Sequence, residues 1–306
     1  MKVYNHTAEA AGKIPNAVVT TGSFDGVHIG HKMIIDRLNE MARNINGESV
    51  LITFYPHPRK VLYPEQTDLM MINSQEEKIE LLRKAGLDNL IILPFSVAFS
   101  KTTSGEFVKN LLVGQLGARI IVVGHNHHFG YARQGDYSYL HQLSKELNFQ
   151  VEEIPMQEIE NETVSSTKIR RAIKEGNVQR ANAYLDHQYI IMGDLYPAAG
   201  LPNLSTYPLV GIHVSASEKM IPPPGIYAGN LLVGGQWLKS MTFVMAIDAA
   251  RVEVVNYLIY DKLEPVGKRG CLYFHKQVWA GNPLNNGEMT PGILDEAKEL
   301  VEDLIY

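Results

Sequence analysis

Two histidines, His28 and His31, stand three residues apart in the stretch GSFDGVHIGH, Gly22 to His31. If both lie on the first turn of a helix, this spacing aims the two imidazoles the same way. A pair so aimed can donate hydrogen bonds to phosphate oxygens that gain charge during phosphoryl or nucleotidyl transfer, chemistry that needs no nucleophilic side chain. The preceding AVVTT reads as strand and the following KMIIDRLNEMA as helix, so the stretch leads into a helix start whose exposed amides favour phosphate. Gly22 and Gly26 permit a tight turn, Gly30 leaves space beneath a ligand, and Asp25 shapes the turn before His28. The bland alternative is a pair of surface histidines beside a turn. A zinc site is weaker, because no carboxylate or third histidine accompanies the pair at ligand spacing.

Other segments carry residues of the same kind. Ser165, Ser166 and Thr167 precede KIRRAIKEG, whose spacing predicts a helix closed by Gly176; their hydroxyls and amides then sit at a helix start, with Arg170 one turn on as a forked cation for phosphate. An ordinary N-cap with an exposed arginine is the alternative. Asn126 follows Val123 and Gly124 at a strand end, where loops carry function; a turn-forming Asn is its plainer reading. His57, between two prolines, lies in a rigid extended loop after the second strand-like run. His125, His127 and His128 do not read as a metal site, since adjacent residues of an extended segment point in opposite directions.

These residues need a scaffold. The runs AVVTTG (17–22), SVLITF (49–54), NLIILPF (89–95), ARIIVVG (118–124) and FQVEEI (149–154) are short and apolar, as buried parallel strands are, and helical segments fall between them. Ser74 with Glu77 and Thr103 with Glu106 have capping-box spacing, and Gly86 and Gly117 stand where helices close. The expected fold is a doubly wound parallel α/β sheet. From Tyr189 onward β-branched and aromatic runs dominate until a final helix, PGILDEAKELVEDLIY, which reads as an antiparallel barrel with a terminal helix. The expected domains are therefore 1–187 and 188–306.

With 306 residues and 45% apolar content the chain can bury a full core, and a net charge of −5 gives no footprint for nucleic acid or an anionic membrane. The single cysteine, Cys271, excludes an intramolecular disulfide, and no run approaches a membrane span; a cytoplasmic protein is expected.

His28, Ile29, Gly30 and His31 form an HxGH sequence that resembles the nucleotidyltransferase signature, and GSFDGVHIGH in particular is similar to that of prokaryotic bifunctional riboflavin kinase/FAD synthetases. TFYPHP (53–58), VVGHNHHFGYARQGD (122–136) and VSSTKIR (164–170) resemble further motifs of that family in the same order, with Tyr55 where an acidic residue is common and His127 where Phe is usual. The resemblance implies an FMN adenylyltransferase domain that converts ATP and FMN to FAD and pyrophosphate with Mg²⁺. It further implies His28, His31 and Arg170 as catalytic residues. Gly22, Phe24, Asp25, Gly30, Ser165, Ser166 and Thr167 would contact ATP, and His57 and Asn126 the flavin.

The second domain matches less well. GIYAGNL (225–231) and VEVVNYLIY (252–260) resemble riboflavin kinase segments, the latter offering Glu253 as candidate base, or else a solvent-facing strand residue. GLPNLST (200–206) replaces the family's Gly-Phe-Pro-Thr-Ala-Asn, so a kinase-type barrel with weak or no riboflavin phosphorylation is expected. The rival readings are a fully bifunctional enzyme, an adenylyltransferase with another phosphate acceptor, and a non-catalytic flavin-binding regulator.

Overall fold

The computed structural model describes residues 1–65, 69–124, 128–155, 158–159, 162–198, 209–214, 216–248, 251–259, 264, 267–285 and 289–305. The chain forms two compact units, Met1–Leu69 with Lys78–Val164 and Met70–Glu77 with Ser165–Tyr306.

In the first unit β1 (Lys2–Tyr4), β2 (Val18–Thr21), β3 (Ser49–Tyr55), β4 (Asn89–Pro94), β5 (Ile120–Gly124) and β6 (Gln150–Ile154) form a parallel sheet in the order β1-β4-β3-β2-β5-β6. The five expected strands are all present; β1, three residues at the edge beside β4, is an addition. Period-two alternation divides the strand side chains between two buried faces. Val19, Val50, Ile52, Ile91 and Val123 pack on one side with Phe107, Leu112 and Leu140, and Val18, Leu51, Leu90 and Val122 on the other with Ile35, Leu38 and Leu82. The helices are α1 (Thr7–Ala10), α2 (Ile29–Asn44), α3 (Pro58–Leu62), α4 (Gln75–Lys84), α5 (Ser104–Glu106) and α6 (Tyr137–Leu147), with a π-helical stretch over Phe107–Gln115. The first turn of α4 is grouped with the second unit. Both expected capping boxes form: Ser74 with Glu77, and Thr103 with Glu106. From β2 the chain proceeds to β3 on one side, and from β5 to β6 on the other. β2 and β5 are neighbours, so the connections diverge at their carboxyl ends, where doubly wound sheets take ligands.

After a small hairpin of β7 (Glu158–Ile159) and β8 (Glu162–Thr163) come α7 (Ser166–Lys174) and α8 (Val178–Leu185). Then β9 (Tyr189–Ala198), β10 (Leu209–His213), β11 (Gly225–Val233), β12 (Gln236–Ala246), β13 (Val252–Leu258) and β14 (Arg269–Ala280) close an antiparallel barrel in the order β10-β13-β12-β11-β14-β9. The terminal helix α9 (Pro291–Leu304) lays Leu294, Ala297 and Val301 against Ile226, Phe243 and Val255 of the barrel. The compact units differ from the segments 1–187 and 188–306 because α7 and α8 are grouped with the barrel. Asn182 of α8 donates to the Phe274 carbonyl at 2.8 Å and accepts from the Tyr189 amide at 2.7 Å.

The segment 70–77 is fastened to the barrel by a buried charge. Lys219 is fully enclosed; its Nζ lies 2.8 Å from Glu77 Oε2, donates to the Ile72 and Ile190 carbonyls at 2.6 and 2.8 Å, and sits 4.1 Å from the centre of the Tyr189 ring. Glu77 Oε1 accepts from the Met192 amide at 2.9 Å. An ion pair removed from water survives only when its remaining donors and acceptors are satisfied, as they are here. Lys219→Met is therefore expected to destabilise the chain by about 3–5 kcal/mol, by stranding the Glu77 carboxylate, and the double variant Lys219→Met/Glu77→Gln to recover part of that loss. Urea unfolding of the two variants against the parent measures both.

Candidate active site

The turn from β2 into α2 is built around stacked rings. His28 is the N-cap of α2, extended at φ −69° and ψ 173°, and His31 is the third helical residue. Their rings stack with centroids 3.7 Å apart, and Phe24 covers the other face of His31 at 4.3 Å. The sequence's i, i+3 geometry is thus realised as ring-on-ring contact. His28 is buried at 8% exposure, Asp25 and Phe24 more deeply, and His31 is half-buried, so the reading of an exposed surface pair does not hold.

This arrangement demands unusual backbone. Phe24, Gly26 and Val27 all have positive φ, at 46°, 97° and 45°. Glycine tolerates that region, whereas Phe and the β-branched Val are held there at a cost of about 1–3 kcal/mol each, the kind of strain that clusters at functional sites. The glycines at either end make room for the rings themselves. A Cβ on Gly22 would meet the Phe24 ring at 3.0 Å, and one on Gly30 would touch the His28 ring at 3.4 Å. Gly30 was expected to clear space for a ligand; the neighbour in the structure is the His28 imidazole.

Burial pushes the His31 imidazole well below its ordinary pKa, and the neighbouring His28 and the Lys78 ammonium push it further. His31 is therefore neutral at neutral pH. Its Nδ1 is buried and has no hydrogen-bond partner among the described residues. An imidazole nitrogen left unused inside the protein is a costly feature unless a ligand takes it up.

Lys78 was not singled out from sequence. It is buried, and its Nζ donates to the Ser23 carbonyl at 2.9 Å, which Thr53 Oγ1 also reaches at 3.2 Å. Nothing in the spacing of EEKIELLRK distinguishes this lysine from a solvent-facing one. Beside the same carboxyl edge of the sheet, Phe54, Phe95, Phe99, Phe107 and Phe129 make a chain of ring contacts with centroids 5.7–6.3 Å apart. These phenylalanines are scattered over 76 positions of sequence, and only the fold assembles them.

His57 is half-buried and caps α3, its Nδ1 accepting from the Arg59 amide at 3.3 Å, so in the neutral ring the proton sits on Nε2. The preceding peptide Tyr55–Pro56 is cis. Asn126, with His125 and His127, lies outside the described residues, as does GLPNLST.

In the second unit Ser165 is the N-cap of α7, its Oγ accepting from the Lys168 amide at 3.4 Å, and Ser166 and Thr167 open the helix, which Gly176 follows at φ 77°. The helix start stands where the residue spacing placed it. Arg170 is half-buried, with its Nε donating to the Met70 carbonyl at 2.8 Å. Glu253 lies on β13 in an ion pair with Arg251 at the barrel surface. Among the described residues no group of three His, Cys, Asp or Glu side chains could hold a metal, and no helix is long and apolar enough to cross a membrane.

Comparison with known proteins bears on this arrangement. The family model for FAD synthetase matches residues 11–168. The chain is 30% identical over 221 residues to the bifunctional riboflavin kinase/FMN adenylyltransferase of Listeria monocytogenes, covering 72% of this chain and 69% of that protein. It is 27% identical over 219 residues to the protein of the same name from Escherichia coli K12, again covering 72% and 69%. The crystal structure of a macrolide-efflux protein from Streptococcus pneumoniae is similar with a TM-score of 0.85 over 99% of each chain; at 24% identity it shows the fold alone. With a matching model over half its length and the HxGH residues stacked at the head of α2, the chain belongs to the FAD synthetase family.

Proposed function

We propose that the chain transfers the AMP moiety of ATP to the phosphate of FMN, giving FAD and pyrophosphate. The observation that carries this reading is the Phe24–His31–His28 stack, set where the connections of the parallel sheet diverge, in a member of the FAD synthetase family. An oxygen of the FMN phosphate attacks the α-phosphorus of ATP, the bond to the bridging oxygen of the β-phosphate breaks, and pyrophosphate leaves. No chain nucleophile takes part. His28 and His31 donate N–H groups to oxygens that gain charge in the transition state, and Gly22, Phe24, Asp25 and Gly30 shape the turn that holds them. Mg²⁺, brought in with the phosphates of ATP as part of the substrate, would offset their charge.

Ser165, Ser166, Thr167 and Arg170 are assigned to the ATP phosphates on the VSSTKIR motif, and the start of α7 suits them to it. His57 and Asn126 are assigned to the flavin on the same resemblance. The half-buried phenylalanine cluster supports a flavin acceptor, since its rings suit a planar apolar tricycle. On this reading residues 1–187 form the adenylyltransferase segment and 188–306 the kinase-like one. No nucleic-acid or membrane partner is invoked, and the reaction is cytoplasmic.

Riboflavin phosphorylation is assigned as weak or absent, because GLPNLST departs from the family's nucleotide motif and Glu253 is engaged by Arg251. The closed barrel and the names of the relatives favour a second reading, a fully bifunctional enzyme. Incubation with ATP, Mg²⁺ and either FMN or riboflavin, followed by separation of the flavins, decides between them. FAD from FMN with little FMN from riboflavin is expected; efficient riboflavin phosphorylation establishes the second reading, and no FAD from FMN overturns the first.

His31→Ala should lower turnover by about 10²–10³ while changing ATP affinity far less, because the interaction lost is made in the transition state. Steady-state kinetics of a folded variant check this. Stability should also depend on pH through the same residue. Its native pKa is depressed, so between that value and about 6.5 the unfolded chain binds a proton that the native chain does not, and stability falls as pH drops below about 6.5, by up to about 1.4 kcal/mol per pH unit. His275, also lowered by burial, acts with the same sign. Urea midpoints at pH 7.5 and 5.5 should accordingly converge, but not fully, in His31→Gln.

A further inference from the structure

Ser104 is buried at the start of α5, where Thr103 already serves as N-cap and completes the capping box with Glu106. Its Oγ donates elsewhere, to the Phe129 carbonyl 25 positions on, at 3.1 Å. That carbonyl also accepts from the Gly135 amide, and the Phe129 amide donates to the Gly135 carbonyl, both at 3.0 Å, so Gly130 to Gln134 form a closed loop. The loop lies directly on the first residue of α5. Gly130 has φ 74°, and a Cβ there would come within 2.6 Å of the Ser104 amide nitrogen and 2.7 Å of its Cα. Beyond it the Tyr131 amide donates to the Thr102 carbonyl at 2.9 Å. Residues 129–131 are thus fastened to residues 102–104, just ahead of Phe107.

The fastening bears on the aromatic cluster. The centre of the Phe107 ring lies 6.1 Å from that of Phe129 and 6.3 Å from that of Phe99. The tip of the Phe129 ring fills the place of a side chain at Gly135, where a Cβ would meet it at 2.6–2.8 Å. The closed loop therefore sets the ring, and Ser104 sets the loop. We propose that Ser104 is a positioning residue for the phosphate acceptor: by holding the Phe129 carbonyl against α5 it fixes the Phe129 ring relative to Phe107 and Phe99, and so sets the aromatic wall against which the flavin ring system lies. This rests on the FMN adenylyltransferase reading above. A wall of rings binds a planar ligand best when it already has its bound arrangement, because ordering it on binding costs affinity. Removing the hydroxyl leaves the Phe129 carbonyl its Gly135 partner, so no buried acceptor is stranded, and Ser104→Ala is expected to fold and to lose only the restraint.

The test uses the full chain and follows the two substrates separately. In Ser104→Ala the KM for FMN should rise about 3-fold to 10-fold, the effect of one hydrogen bond, with the KM for ATP and kcat little changed. Binding of FMN, titrated through its fluorescence, should weaken by the same factor. Gly130→Ala, which drives the loop off α5, should act in the same direction and more strongly. Phe129→Leu supplies the comparison that a merely structural role would not satisfy: if Ser104 acts through the ring, Ser104→Ala adds nothing to the KM for FMN in that background. A parental KM for FMN in Ser104→Ala, equal rises in KM for FMN and ATP, or additive effects in the double variant overturn the proposal. If the parent chain makes no FAD, the adenylyltransferase reading fails on its own and the FMN titration decides the rest. Weaker binding in Ser104→Ala then supports the positioning role, and equal binding, or no binding by the parent, overturns it.

Discussion

The site depends on one constraint, that three rings stack within eight residues of chain. Phe24, His31 and His28 can do so only because the backbone between Gly22 and His28 passes through left-handed conformations at Phe24, Gly26 and Val27 before α2 begins. A relaxed strand-to-helix turn would splay Phe24 away from the helix and leave His31 solvated on its first turn. Burial of Phe24 and Val27 in the core under α2 offsets the strain, since each is almost wholly removed from water, an effect worth about 1.5–3 kcal/mol for a side chain of that size. The same hydrophobic packing that stabilises the sheet therefore fixes the imidazoles, and no separate device is needed to orient them.

Much of this was legible in the sequence, for identifiable reasons. Strands buried on both faces read as continuous apolar runs, and α2 declares itself through Ile35, Leu38 and Ala42 at helical spacing. Capping boxes and the N-cap at Ser165 are local chemistry, complete within four residues, so their motifs translate directly into geometry. What was not legible is whatever needs two distant segments to meet. The phenylalanine cluster draws on β3, the chain between β4 and β5 and the chain beyond β5, and Lys78 reaches Ser23 across 55 positions. Glu77 and Lys78 are neighbours in the sequence with nothing to tell them apart from an exposed acidic–basic pair, yet one is buried against Lys219 and the other against the Ser23 carbonyl. Gly30 illustrates a subtler limit: the need for a small residue could be read, but not that the crowding neighbour is the His28 ring.

The barrel shows how polar groups can be buried without marking a site. Ser240, Thr242 and Asn256 are fully enclosed, and both hydroxyls reach Asn256 Oδ1, at 3.0 and 2.8 Å, while its Nδ2 donates to the Val210 carbonyl at 3.1 Å. Every polar atom of the cluster is used by another, which makes it a cross-link between β10, β12 and β13 rather than a vacant recognition surface. His31 is the opposite case, a half-buried residue whose buried Nδ1 finds no partner among the described residues.

The charge state of that ring bears on why a pair of histidines, rather than lysines or arginines, would face phosphates. ATP and FMN together bring several negative charges, and a fixed cation attracts them as strongly before reaction as during it, lowering the ground state along with the transition state. A neutral imidazole interacts weakly with the substrate phosphate and more strongly as charge accumulates on the oxygens around the reacting phosphorus, so its contribution is concentrated where it lowers the barrier. Burial, the stacked His28 and the Lys78 ammonium all act in the direction that keeps His31 neutral. The interior that holds the rings in place thus also sets the charge with which, in the proposed reaction, they would meet the nucleotide.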